Sequence, residues 1–208
     1  MLILFGVLAV ANLISVTLGV EALEWATKPL LCPVLAAYVL RTVPRHRLLA
    51  AGLVFAAAGD VALLVEGQVA FVIGMTSFLV MQICYIVVFV RAGARLRWGA
   101  AGYLLVWVVA GVMLWGPLGG LAVPVLLYGL ALVTMAAFAS GVNPVAGIGG
   151  GLFAFSDLLV GLGVTGTDFS GRGTVLMTTY IAAQFLIVRG VLSAGVLQPG
   201  GHPVDRQK

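Results

Sequence analysis

The chain of 208 residues is 62% hydrophobic and only 9% charged, and its mean hydropathy is +1.18. Soluble domains carry about 25% charged residues, so this composition excludes a soluble globular protein and indicates an integral membrane protein. The net charge of +4 comes mainly from short arginine clusters between apolar runs. They form no basic stripe with interleaved aromatic residues, and we therefore expect no nucleic-acid partner.

Eight apolar runs follow one another along the chain, most of them near the roughly 20 residues that a membrane-spanning helix needs. They are continuously apolar, whereas the strands of a membrane β-barrel alternate apolar and polar residues. We therefore predict an all-α, polytopic transmembrane helix bundle of about eight helices. The runs cover residues 2–20, 28–41, 48–65, 69–90, 98–115, 118–139, 144–163 and 174–195.

The first two runs need separate interpretation. The first has no basic residue before it and no small-x-small cleavage pattern, so we expect a retained helix rather than a signal peptide. The second is short, which predicts a tilted or partly immersed helix that begins at Lys28.

Cys32 in this run and Cys84 in the fourth should lie at different depths, so we expect packing roles and no disulfide.

The placement of the arginines predicts the topology. The clusters at residues 41–47 and 91–97 are typical of cytoplasmic loops, and eight helices then place both termini in the cytoplasm. The connections are short, so we predict one transmembrane domain over residues 1–196 and a polar, disordered cytoplasmic tail over 197–208. The richness in Ala, Gly and Val suggests a bacterial chain, and hence the bacterial cytoplasmic membrane.

Two aspartates interrupt the apolar runs. Asp60 in the third run and Asp157 in the seventh each lie about six residues, or roughly 9 Å, before the outer end of their helix. The two helices run in the same direction, so we expect the side chains to meet. An acidic side chain in the bilayer costs about 2.5–3.5 kcal/mol, and such residues usually face a functional cavity. Lys28 at the outer face can reach towards them along its flexible stem.

The chemistry of such a carboxyl pair leaves several functions open. Two carboxyls close together in a poorly solvated site tend to share one proton, which suits general acid and base catalysis. The same pair could couple a small transporter to protons or bind a divalent cation. Each acid could also be protonated and hydrogen-bonded, serving only helix packing in a membrane scaffold.

Six further polar side chains in the apolar runs are candidates for the same site. Taken singly, such residues are more often interhelical hydrogen-bond partners. The pair on the fourth run is spaced by three residues and the pair on the eighth by four, so each pair occupies one helix face. The six are Gln82, Tyr85, Tyr128, Ser156, Tyr180 and Gln184.

Other catalytic constellations are missing from the sequence. The two histidines, His46 and His202, lie in a basic loop and in the tail, so a zinc hydrolase with several imidazole ligands in the membrane is excluded. No G-x-S-x-G elbow is present, which disfavours a Ser-His-Asp hydrolase. The string "AGIGGG" at 146–151 is interpreted as a close helix-packing face through Gly147 and Gly151.

Six segments in order resemble the YhhN-like lysoplasmalogenase family of multi-pass membrane proteins. Each is weak alone, but their common order along most of the chain is specific. In one departure, Gln82 stands where the resemblance leads us to expect a histidine, and glutamine cannot shuttle protons. The segments are "TKPLLCPVLA", "FAAAGDVALL", "GMTSFLVMQICYI", "VLLYGLALVTMAAFA", "GLFAFSDLL" and "TTYIAAQFLI".

The resemblance implies hydrolysis of the vinyl-ether bond of lysoplasmalogens to a fatty aldehyde and a glycerophospho-alcohol, without an organic cofactor or a metal. Asp60 and Asp157 would form the acid/base pair, and Lys28 would bind the substrate phosphate. The partners implied are the lysophospholipid substrate and the bilayer, with the oligomeric state open. The alternative remains a small proton-coupled transporter or lipid-binding membrane protein. The substrate site would be completed by Gln82, Tyr85, Tyr128, Ser156, Tyr180 and Gln184.

Overall fold

The computed structural model describes residues 1–96 and 99–196, and these form eight α-helices and one 3-10 helix without a strand. The expected all-α class is confirmed. The predicted tail at 197–208 lies outside the described residues, and the single domain over 1–196 stays a prediction. The helices are α1 (Leu2–Leu18), α2 (Glu21–Thr42), α3 (Arg47–Ala62), α4 (Gln68–Arg91), α5 (Gly99–Leu118), α6 (Ala122–Val142), α7 (Pro144–Val164) and α8 (Arg172–Val196), with the 3-10 helix at Gly119–Leu121.

Five helical stretches of the described chain are long and apolar enough to cross a membrane. One of them, Gly99–Val142, has 44 residues and combines α5, the 3-10 turn and α6. Its length of about 66 Å exceeds a single crossing, and Gly119 breaks it with a φ of 53°. The chain is thus an integral membrane protein by its apolar helices. The count of eight crossings and the cytoplasmic side of the termini stay predictions.

The helices pack in a closed order around the interior. Neighbouring pairs run α1–α2, α2–α3, α3–α4, α4–α6, α6–α7, α7–α8 and back from α8 to α1, while α5 packs on the outside against α6 and α7. The outer position of α5 agrees with its long series of exposed apolar side chains. Helices α2, α3, α4, α6, α7 and α8 therefore surround one interior, and their inward faces decide what the protein can bind.

Glycines allow α7 to pack closely between α6 and α8. A Cβ atom at Gly149 would lie 2.8 Å from the backbone nitrogen of Ile187 in α8. A Cβ at Gly147 would lie 2.9 Å from Cα of Ser140 in α6. The expected packing face is thus present, but Gly151 is not central to it, since its added Cβ would lie 3.4 Å from the Tyr103 hydroxyl. Because glycine has no side chain, the helix backbones can approach each other closely at Gly147 and Gly149.

Helix α2 corrects the sequence-based interpretation. It begins at Glu21 rather than at residue 28 and has 22 residues, so it is not short, and Lys28 lies two turns inside it rather than at its start. Glu21 and Glu24 interrupt the apolar run, so hydropathy alone places the start of the helix after them. Both lie in the first turn of α2, where negative charge is favourable beside the positive end of the helix dipole.

Helix α3 is shorter than predicted. It ends at Ala62 rather than 65, and the chain then turns back through Gly67, whose φ is 114°. Asp60 therefore lies in the last turn of α3, whereas Asp157 lies two turns before the end of α7. The expectation that both aspartates sit about six residues before a helix end is wrong for Asp60, because the apolar residues after Ala62 continue the hydrophobic run without continuing the helix.

Candidate functional site

Asp60 and Asp157 line one cavity of about 80 Å³ inside the bundle. Six of the nine predicted site residues border it, and three do not. The rest of its wall is apolar, from side chains such as Phe71, Phe78 and Met177. The structure therefore brings the two acids together in a largely apolar space. The six predicted residues on its wall are Lys28, Asp60, Tyr128, Ser156, Asp157 and Tyr180.

Asp60 is 2% exposed and is held from two neighbouring helices. Its Oδ2 accepts a 2.7 Å hydrogen bond from the hydroxyl of Tyr180 in α8. The Cys32 sulfur in α2 lies 3.9 Å from the same oxygen and 3.3 Å from the Tyr180 hydroxyl. The positive charge of Lys28 also acts on Asp60. Donors and a cation around one carboxyl stabilise its ionised form.

Asp157 is half-buried and has a different environment. Its Oδ2 accepts a hydrogen bond from the hydroxyl of Tyr128 in α6, and the charge of Asp60 acts on it repulsively. The adjacent Ser156 turns towards α8 instead, where its hydroxyl donates to the backbone oxygen of Leu176 at 3.3 Å. Each aspartate is therefore oriented by its own tyrosine from another helix.

Lys28 lies at the cavity wall with a side chain that is 12% exposed. Its Nζ lies 3.3 Å from Oε1 of Glu24, one turn earlier on α2. Glu24 is thus the ion-pair partner of the cavity lysine. The cavity wall therefore carries an ammonium group whose charge Glu24 partly neutralises.

A chain of buried polar side chains continues behind Asp60. Tyr85 of α4 donates a 2.7 Å hydrogen bond to Oε1 of Gln184 in α8. The amide nitrogen of Gln184 lies 3.5 Å from the Tyr180 hydroxyl, which in turn donates to Asp60. Tyr85 and Gln184 are almost fully buried and do not line the cavity, so they orient Tyr180 rather than touch a bound molecule.

Gln82 is fully buried on α4, one turn before Tyr85. Its amide approaches the hydroxyl of Tyr128 without reaching hydrogen-bond geometry, so neither its nitrogen nor its oxygen has a partner among the described residues. An unpaired buried amide is unfavourable by about 1–3 kcal/mol. Gln82 therefore offers a donor and an acceptor beside the Tyr128–Asp157 pair.

A second, apolar cavity of about 90 Å³ adjoins the first between α5, α6 and α7. Trp107, Leu114 and Leu126 contribute to its wall. Tyr128 and Asp157 belong to the walls of both cavities, so this hydrogen-bonded pair stands between them. The space has the apolar lining that a hydrocarbon chain requires.

Sequence reasoning missed Cys32 and Trp107 as site residues. Cys32 lies four residues after Lys28, on the same face of α2, and that spacing was the available signal. Nothing in the apolar sequence of α5 distinguishes Trp107, whose indole donates to the backbone oxygen of Leu126 at 2.9 Å. As expected, Cys32 and Cys84 are free thiols.

The site has the groups for proton transfer to and from a molecule within the membrane. One carboxyl lies near a cation and several donors, the other has a single tyrosine and apolar neighbours, and both face the same space. Within residues 1–96 and 99–196, no group of three or more His, Cys, Asp and Glu side chains is placed to hold a metal ion.

Comparison with known proteins identifies the family. A sequence model of the YhhN family matches residues 23–191, which covers most of the chain and every residue of the two cavities. No curated protein and no solved structure gives a significant match.

Proposed function

The chain belongs to the YhhN family, and from this premise we propose that it hydrolyses the vinyl-ether bond of lysoplasmalogens to a fatty aldehyde and a glycerophospho-alcohol. The observation that carries the proposal is the shared cavity of Asp60 and Asp157, each fixed by its own tyrosine. A membrane-embedded acid/base pair with apolar walls suits a substrate whose reactive bond lies between a headgroup and a hydrocarbon chain.

The reaction begins with protonation of the vinyl-ether carbon distal to oxygen. We assign this step to Asp157, because its apolar surroundings favour the protonated acid. The product is an oxocarbenium ion, which the carboxylate of Asp60 stabilises by its charge, as in glycoside hydrolysis. Lys28 and the Tyr180 hydroxyl favour the ionised form of Asp60 against the opposing effect of its burial.

Water then completes the reaction. A water molecule adds to the oxocarbenium carbon and gives one proton to Asp60, which acts as the base. Asp60 then returns this proton to the glycerol oxygen and the Asp157 carboxylate takes the hemiacetal hydroxyl proton as the carbon–oxygen bond to the glycerol breaks. This gives the aldehyde and a free hydroxyl and restores both carboxyls to their starting states. The unpartnered amide of Gln82 lies beside Tyr128 but does not line the cavity, so it acts on the reaction by orienting the Tyr128–Asp157 pair.

The adjoining cavity supports a position for the substrate chain. The alkenyl chain lies in the apolar space beside Trp107 and Leu126, which places its vinyl-ether end at the Tyr128–Asp157 pair shared by both cavities. Lys28 binds the phosphate at the other side of the first cavity, because its ammonium is the cation on that wall among the described residues.

Release of aldehyde by the purified protein tests the proposal. Wild-type protein should form aldehyde from lysoplasmenylethanolamine or lysoplasmenylcholine, and Asp60→Asn and Asp157→Asn should each abolish this while the protein elutes normally in size-exclusion chromatography. Tyr103→Phe, remote from the first cavity, serves as a matched control. Full turnover by both Asn variants would disprove the acid/base assignment.

The shared cavity of Asp60 and Asp157 supports one alternative, a proton-coupled lipid transporter. The two carboxyls would take up and release the coupling proton as the lipid moves. Liposomes distinguish the two functions, because a transporter would move the lysolipid between leaflets and leave its vinyl ether intact.

A further inference from the structure

A third cavity, with a volume of about 460 Å³, lies at one end of the bundle beside the two cavities of the candidate site. The connection between α3 and α4, the 3-10 turn after α5 and the last residue of α7 form its wall. Gly67, Gln68 and Gly120 on this wall are exposed, as is the neighbouring Glu66. A charged side chain is costly in hydrocarbon, so we infer that this cavity faces water.

The third cavity shares wall residues with both cavities of the candidate site. Phe71 borders the third and the first cavity, and Leu118 borders the third and the adjoining apolar cavity. Leu118 is 6% exposed, whereas Phe71 is half-buried. The side chain of Phe71 therefore stands between the cavity of the two aspartates and the water-facing cavity.

Phe71 is held less firmly than Phe78, the other phenylalanine of the first cavity. Phe78 packs edge-on against Phe153 and Tyr180, at centroid distances of 6.3 and 6.1 Å. Phe71 makes no ring contact with another aromatic side chain in the described part of the chain. Its ring can therefore change rotamer without breaking an aromatic cluster, and such changes are fast.

The two products of the proposed hydrolysis need different ways out of the bundle. The fatty aldehyde is apolar and can pass from the adjoining cavity into the lipid. The glycerophospho-alcohol carries a phosphate, whose charge is costly to move through an apolar medium. The described wall of the third cavity has one polar side chain, that of Gln68, and no charged one. A phosphate ester would bind there weakly, as release into water requires.

We propose that the glycerophospho-alcohol leaves through the third cavity, with Phe71 as the gate between that cavity and the first. This role depends on the proposed hydrolysis, because cleavage is what produces the water-soluble phosphate ester. When the ring of Phe71 turns aside, the first cavity opens towards the α3–α4 connection. Phe71 and Gln68 at the mouth thus control the release of product and not the chemical step.

Comparison of the first turnover with the steady state tests this role in the full chain. Gln68→Trp narrows the mouth of the third cavity. The first turnover should form aldehyde at the wild-type rate, as a burst, whereas kcat should fall about tenfold because release becomes rate-limiting. Val69→Trp is the matched control, because Val69 is the next residue, is exposed and lines none of the three cavities.

Three kinetic results would overturn the passage. They are an unchanged kcat in Gln68→Trp, an equal fall of its first-turnover rate and its kcat, and the same burst in Val69→Trp.

The reactivity of an introduced thiol tests the opening to water without turnover. Phe71→Cys is combined with Cys84→Ala, which leaves Cys32, only 1% exposed, as the other thiol. A charged methanethiosulfonate should modify the introduced thiol, as measured by the mass of the intact protein. Leu114→Cys in the same background is the control and should stay unmodified, because Leu114 lines the adjoining apolar cavity and not the third.

This measurement separates failure of the passage from failure of the hydrolysis. A Phe71→Cys thiol that does not react would overturn the passage, even where the wild type releases aldehyde. A wild type that forms no aldehyde would overturn the hydrolysis, and with it the route for its product, even where the thiol reacts.

Discussion

Tyr180 of α8 donates a 2.7 Å hydrogen bond to Asp60 of α3, a contact between residues 120 positions apart in the sequence. The ring of Tyr180 is held by edge-on contacts with Phe78 and Phe153, at centroid distances of 6.1 and 5.8 Å. The hydroxyl also lies within 3.5 Å of the Gln184 amide. The orientation of Asp60 therefore depends on a tyrosine that packing and hydrogen bonding fix in turn.

Removing this hydroxyl should slow the reaction without blocking substrate binding. Tyr180→Phe keeps the ring and its contacts but takes away the donor to Asp60. A hydrogen bond to a charged group contributes about 1.5–3 kcal/mol, so kcat for aldehyde release should fall roughly 10- to 100-fold, while KM changes little. Steady-state kinetics beside Tyr103→Phe measures the effect, and an unchanged kcat would contradict the role of Tyr180.

Replacing the Gln82 amide by an apolar side chain should raise stability and lower activity. Gln82→Met replaces a buried amide without partners by an apolar side chain of similar length. The free energy of unfolding should rise by up to about 1–2 kcal/mol, and aldehyde release should fall because the Tyr128–Asp157 pair loses the polar neighbour that orients it. Thermal unfolding and turnover of the same preparation give both values. A variant with wild-type turnover would remove Gln82 from the mechanism.

Gly161 should limit the length of the substrate chain. It lines both the first cavity and the adjoining apolar one, and a Cβ added there would lie 3.6 Å from Leu114, an ordinary contact. Gly161→Ala should therefore be tolerated, whereas the larger side chain of Gly161→Leu fills the space. We expect about a tenfold or greater loss of kcat/KM for long alkenyl chains and a smaller loss for short ones. Equal losses at all chain lengths would argue against this position for the chain.

The glycines of α7 should differ sharply in their tolerance of a methyl group. An added Cβ at Gly149 meets backbone atoms of Ile187 and Ala183 at 2.8 and 3.0 Å, and these cannot rotate away. Gly149→Ala should lower the free energy of unfolding by about 1–3 kcal/mol. Gly151→Ala, the matched control, should be neutral or slightly stabilising, since alanine favours the helix. Thermal unfolding in detergent compares the two, and equal effects would contradict the close packing of α7 on α8.

The loop between α7 and α8 should contribute a pH-dependent element of stability. The hydrogen bond from Arg172, at 2.8 Å, and the backbone N–H of Phe169 lower the pKa of Asp168. In the acid range below the ordinary value of about 4, the unfolded chain binds more protons at this site than the folded one. The stabilisation is therefore present above that range and is lost as the pH falls through it.

Asp168→Asn tests this element by removing the titrating group. The fall in unfolding temperature between pH 6 and pH 3 should be smaller in the variant than in the wild type. The difference between the two proteins should be small, because the pair is exposed to solvent. Arg172→Gln should reduce the same pH dependence. A pH dependence identical in all three proteins would contradict the contribution of this ion pair.

The helix ends show where the sequence was insufficient. The apolar pattern predicts that α2 begins at residue 28, whereas the helix begins seven residues earlier, at Glu21. Two glutamates at a helix start interrupt the apolar run but do not prevent helix formation. The same pattern predicts that α3 continues past Ala62, because the turn residues there are also apolar. Hydropathy indicates whether a segment lies in lipid or in water, whereas backbone hydrogen bonds determine where its helix ends.

The sequence by itself determined the all-helical membrane class, the family, and the two aspartates within apolar runs as the candidate site, because the length of an apolar run and a carboxyl inside it are local properties. Only the tertiary structure decided how these residues are paired. It assigned Tyr180 to Asp60 and Tyr128 to Asp157, and placed Gln82 beside a residue of α6 and Tyr85 beside a residue of α8. Helical periodicity fixes which residues share a face, but the partner across that face depends on the packing order of helices distant in the chain.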